Sequence, residues 1–132
     1  MISKIQLGAR IILGLIYVIF GGMGLAMALG LMAMPDQPMP DAAKTFMTGI
    51  MASIYFFPLL KLTEAVFGLL LFFDRFAPLA LVVLAPVTLN IVLYHAFLTP
   101  SAGEQVLPVV MAVAHVIAMR GYWRLYLPLF SK

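Results

Sequence analysis

Cysteine is absent from the 132 residues. That removes disulfide exchange and thiolate metal ligation as chemistries for this chain. Charge is scarce as well, with charged side chains at 10% against 64% hydrophobic ones. A mean hydropathy of +1.11 lies far outside the range of water-soluble domains. There is room for one domain, and it is built for a lipid bilayer. The formal charge of +3 does not indicate nucleic acid, because no basic cluster stands apart from the ends of apolar runs.

The charges that are present have an order. Lys4, Arg10, Arg75, Arg120, Arg124 and Lys132 border apolar runs on one alternating side, whereas Lys44 shares a connection on the other side with Asp36 and Asp41. This asymmetry predicts a multi-pass protein of the cell (inner) membrane with both termini in the cytoplasm. The first run exceeds the 7–15 apolar residues of a secretory signal and reads as a retained span.

Four spans are predicted, at about residues 11–34, 55–73, 76–98 and 104–120. The connection Pro35 to Asp41 carries three prolines, which break a helix there. Asp41 reads as the N-cap of a short amphipathic helix over about 41–53, with Phe46, Met47, Ile50 and Met51 on one face. That helix either lies on the outer surface or extends span two across a kink at Pro58. Asp74-Arg75 makes spans two and three close antiparallel neighbours. The expected fold is thus an all-α integral membrane protein, an up-down-up-down four-helix bundle with one external amphipathic helix.

Finer expectations follow along the chain. Gly22, Ala26 and Gly30, with Gly24 and Ala28 beside them, form small-residue stripes for close helix packing, within the chain or in a homo-oligomer. Arg10 is expected to snorkel to headgroups. Pro86 should free a carbonyl near position 82, and Pro108 should sit in the first turn of span four. Tyr122, Trp123 and Tyr126 should carry that helix onward into an interfacial aromatic belt.

Polar groups inside spans single out the candidate site, since an ionised side chain in hydrocarbon costs a few kcal/mol or more unless paired or hydrated. Lys61 and Glu64 share one helical face, and Gly68 leaves room beside it. With a rise of 1.5 Å per residue, Glu64 and His115 both fall roughly 15 Å from a membrane surface. Lys61 and Asn90 share a second level roughly 20 Å above the cytoplasmic turn, with His95 near the outer mouth. Converging faces would make one polar pocket of Lys61, Glu64, Asn90, His95 and His115. Lys61–Glu64 is either such a site or a structural pair, and Asn90 either lines it or bridges helices. The two histidines lie about 10 Å apart in depth, which disfavours a shared haem, and too few ligands share a level for zinc. Donors at Lys61, Asn90 and His95 with an acceptor at Glu64 or His115 suit a quinone-like headgroup.

Several pieces together resemble the DoxX-like family of small four-span bacterial membrane proteins. They are Arg10-Ile-Ile-Leu-Gly14 with Phe20-Gly21, Pro38-Met39-Pro40, and Phe57-Pro58-Leu59-Leu60-Lys61 with Glu64 and Gly68. Arg75-Phe76-Ala77-Pro78-Leu79-Ala80-Leu81, Leu84-Ala85-Pro86 leading to Asn90 and His95, and Leu127-Pro128-Leu129 complete the set. The family often carries a carboxylate where His115 stands. The resemblance implies a four-helix membrane bundle, a shared site at Lys61, Glu64, Asn90 and His95, and a place as subunit or accessory of a quinone-linked redox complex. A non-redox carrier of small molecules and a structural partner of a membrane complex are the other readings.

Overall fold

The computed structural model describes residues 1–131, and every described element is helical. The helices are α1 (Lys4–Ala28), α2 (Asp41–Ala52), α3 (Phe56–Phe72), α4 (Ala77–Leu98), α5 (Ala102–Gly121) and α6 (Trp123–Tyr126), followed by a 3-10 turn at Leu127–Phe130. By length and composition α1, α4 and α5 can each cross a membrane, and α2 with α3 makes a fourth crossing if that bent pair is one span.

Helix ends differ from the expected spans for local reasons. Ser3 and Gln6 form a reciprocal capping box, so α1 begins well before residue 11. It ends at Ala28 because Gly30 takes the left-handed conformation (φ 74°). Leu31 N–H then bonds Ala26 and Gly30 N–H bonds Met27, satisfying the last carbonyls. Asp41 is the first helical residue of α2 rather than its cap, and Pro40 precedes it without a side-chain bond. Its carboxylate still complements the helix dipole there.

The bend between α2 and α3 is 92° and lies at Ser53–Tyr55, not at Pro58. Ile54 adopts φ 59°, a costly conformation for a β-branched residue, and reverses the chain between the two helices. Pro58 sits in the first turn of α3, where no amide bond is lost. Pro108 is the opposite case. Because α5 starts at Ala102, this fully buried proline lies inside the helix rather than in its first turn.

α1 and α3 run antiparallel along a seam of small residues. A Cβ placed on Gly14 would lie 2.8 Å from the Phe72 amide, one on Gly21 2.6 Å from Ala65, one on Gly68 2.8 Å from Tyr17, and one on Gly24 would run into the Lys61 stem. Positions 14, 17, 21 and 24 meet 72, 68, 64–65 and 61, a spacing of three to four residues on both helices that suits a shallow crossing. Gly22 has open space and Gly30 lies beyond the helix, so the stripe expected at 22, 26 and 30 is not this seam. α4 pairs with α5, and Leu13, Leu71, Leu81, Leu84 and Met111 fill the centre. Large apolar side chains such as Ile12, Leu69, Leu89 and Val116 face outward on all four long helices. Such extensive exposed apolar surface belongs in lipid.

Candidate functional site

Along α1, polar groups enter the interior at three levels about 10 Å apart, one for every seven residues. At the first level Arg10 is only 5% exposed, so it does not snorkel. Its guanidinium donates to the carbonyls of Leu71 (2.6 Å) and Phe72 (3.3 Å), and lies 3.5 Å from the Asp74 carboxylate. Tyr122 donates to the same carboxylate at 2.6 Å. Arg10 thus caps the C-terminus of α3, and the α3–α4 turn is tied to α1 and to the start of the C-terminal segment.

At the second level Tyr17, Thr88 and His115 form a chain across α1, α4 and α5. Tyr17 Oη lies 2.5 Å from Thr88 Oγ1, Thr88 Oγ1 lies 2.8 Å from His115 Nδ1, and His115 Nε2 lies 3.0 Å from the Leu81 carbonyl. A carbonyl only accepts, so Nε2 carries the proton of the neutral ring and Nδ1 accepts from Thr88. Tyr17 must then donate to Thr88. The bonds therefore run in one direction, Tyr17 to Thr88 to His115 to Leu81. Pro86 leaves the Val82 carbonyl without its helical amide, but the carbonyl that His115 meets is that of the neighbouring Leu81.

At the third level Lys61 Nζ and Glu64 Oε2 pair at 2.9 Å. The carboxylate side chain is 3% exposed and the lysine side chain 20%. The notch at Gly24 receives the lysine stem, and Gly21 lies against Glu64. The ammonium stands 5.7 Å from the Phe57 ring centroid, within cation–π range.

The five residues named from the sequence are thus not one cluster. Lys61 and Glu64 meet. His115 is buried at the Tyr17 level with both nitrogens occupied, and its partners are Thr88 and Leu81 instead of Glu64. Asn90 is exposed, because Thr88 takes the inner face and a residue two positions on points away from it. His95 is half-buried in the last turn of α4, where its Nδ1–H bonds the Ile91 carbonyl of its own helix. Gln105 closes the α4–α5 connection over it, bonding the carbonyls of His95 (2.6 Å) and Thr99 (3.1 Å). Two surface hollows, of about 350 and 500 Å³, lie at the Pro35–Lys44 connection and beside the α5–α6 junction, away from Lys61 and Glu64.

Sequence reasoning missed Arg10, Tyr17 and Thr88 as interior groups. The available signal was the seven-residue step Arg10–Tyr17–Gly24, which puts all three on the face that also holds Gly14 and Gly21. The C-terminal segment also departs from expectation. The helix breaks at Tyr122, and Tyr126 turns inward to donate to the Pro78 carbonyl (2.9 Å). Trp123 remains exposed and stacks on Phe130. Among the described residues no three His, Asp or Glu side chains come together as a metal-binding group. No family model, curated protein or solved structure matches the chain.

Proposed function

We propose that the chain is a DoxX-like, four-span protein of the cell inner membrane that takes a quinone-like or similar lipid-like headgroup at Lys61, as subunit or accessory of a quinone-linked redox complex. In this reading the spans run up-down-up-down with both termini cytoplasmic, and α2 lies on the outer surface. The 92° bend at Ile54 supports that placement of α2, since it turns the helix across the direction of α3. The positions of Lys4, Arg10, Arg75, Arg120 and Arg124 support the orientation.

One observation carries the ligand reading: the ion pair is buried unequally, with the carboxylate inside and the ammonium partly reachable. Glu64 takes one of the three N–H groups of Lys61, leaving two to donate to a ligand oxygen. The buried Phe57 ring lies behind the ammonium and makes the wall there apolar, which suits an apolar ring or tail better than a hydrated ion. Glu64 then positions the ammonium, and the Tyr17–Thr88–His115 chain holds α1, α4 and α5 in register behind it.

The test is mass spectrometry of what co-purifies in mild detergent with the native chain, Lys61→Met and Glu64→Gln. A defined quinone or isoprenoid-like molecule, retained by the native chain and lost from both variants, is the expected result. Bulk phospholipid alone, unchanged in equally folded variants, would overturn it. That outcome would favour a structural role, which the mutual pairing of Lys61 and Glu64 also supports.

A further inference from the structure

The hollow of about 500 Å³ beside the α5–α6 junction combines basic and amide side chains with an apolar lining from Met1, Trp123 and Leu125. Arg120 and Arg124 stand on either side of the helix break, with Trp123 between them and Gln6 of α1 opposite. Gln6 uses its amide oxygen on the Ser3 N–H, so its NH₂ group is the end left to face a ligand. Among the described residues no carboxylate lines the hollow, and neither arginine has an ion-pair partner. The nearby Asp74 is already engaged by Arg10 and Tyr122. With the Tyr122 hydroxyl engaged at Asp74, the polar side-chain groups left along the hollow are N–H donors: two guanidinium forks, an amide and an indole. Guanidinium forks match the paired oxygens of a phosphate.

The rim decides where such a phosphate comes from. Trp123 is 52% exposed and Leu125 62%, so the donors open onto an apolar border rather than onto water-facing polar surface. An indole beside arginines at the end of an apolar helix belongs at headgroup depth. We propose that this hollow binds the phosphate of an anionic phospholipid headgroup, with Arg120 and Arg124 clamping it and Trp123 seated against its glycerol. The site is independent of Lys61, at the opposite end of α1.

The test is native mass spectrometry of protein extracted from mixed phosphatidylglycerol and phosphatidylcholine vesicles. Phosphatidylglycerol should be enriched on the native chain. At about 1 kcal/mol per interfacial cation, Arg120→Gln or Arg124→Gln should lower that enrichment roughly fivefold and the double variant roughly 30-fold. Arg75 is exposed in the turn at the same end but outside the hollow, so Arg75→Gln should leave the enrichment unchanged. An equal loss in Arg75→Gln would mean general surface attraction and would overturn the proposal. Inorganic phosphate at millimolar concentration binding in place of the lipid, with no phosphatidylglycerol preference, would overturn it too. A second readout needs no variant: Trp123 is the sole tryptophan. Brominated phosphatidylglycerol should quench it at a lower lipid fraction than brominated phosphatidylcholine, and equal quenching would refute the site.

Discussion

Removing either member of the Lys61–Glu64 pair should hurt, and removing both should not. At 2.9 Å the attraction is about 6 kcal/mol for an effective dielectric of about 20. Desolvation offsets most of that gain, so the pair's net contribution is small while a stranded buried charge costs about 3–5 kcal/mol. The unequal burial makes the two single variants unequal. Lys61→Met strands a carboxylate whose side chain is 3% exposed, and should cost about 3–5 kcal/mol. Glu64→Leu leaves an ammonium on a flexible stem, 20% exposed, that can reach toward water; about half that cost is expected. Lys61→Met with Glu64→Leu should lie within about 1.5 kcal/mol of the native protein, because two apolar groups of similar volume replace a paired charge. The coupling is then at least about 3 kcal/mol. The assay is reversible unfolding in mixed micelles by titration with dodecyl sulfate, followed by circular dichroism. Additive single costs, with coupling below about 0.5 kcal/mol, would refute the idea that the two charges depend on each other.

Four further outcomes are expected. Gly68→Val should lose at least about 2 kcal/mol or misassemble, since even a Cβ there would lie 2.8 Å from Tyr17 and 2.9 Å from the Val18 amide. Gly22→Ala, which meets nothing, should be neutral or stabilising by up to about 1 kcal/mol in the same unfolding assay. Arg10→Met should cost about 2–3 kcal/mol by uncapping α3 and releasing Asp74, and Arg10→Lys should recover only part of the loss because one ammonium cannot span both carbonyls and the carboxylate; thermal melts in detergent measure this. Burial pushes the Tyr126 phenol up to about 12 from 10.0, and burial together with the Asp74 carboxylate that accepts its proton raises Tyr122 as well. The stabilising contribution of these neutral phenols is whole below pH 10.0, the ordinary value of a phenol, and is lost as pH rises toward about 12; the loss of stability over that window should be smaller in Tyr126→Phe than in the native protein, and an equal or larger loss would refute the reasoning.

Composition and punctuation determined a large part of this protein without help from its fold. Apolar runs bounded by arginine, proline and Asp74-Arg75 settled that the chain is helical and that its long helices are apolar enough for a membrane, because those properties depend on residues close in sequence. The Lys61–Glu64 contact was also local, three residues apart on one helix. Which glycines face a partner was another matter. Gly22 and Gly21 are adjacent and equally small, and only the antiparallel register of α1 on α3 makes one a contact and leaves the other open. The same register carried Arg10 inward to the end of α3, although its position beside a span end suited a headgroup contact equally well. Thr88 and Asn90 show the point within one helix, since both are polar and only packing against α1 and α5 decides which is buried. Depth along a membrane axis can be counted from sequence at a constant rise per residue, but rotation about a helix axis cannot, and rotation is what brought His115 to Thr88 and Tyr17 instead of Glu64.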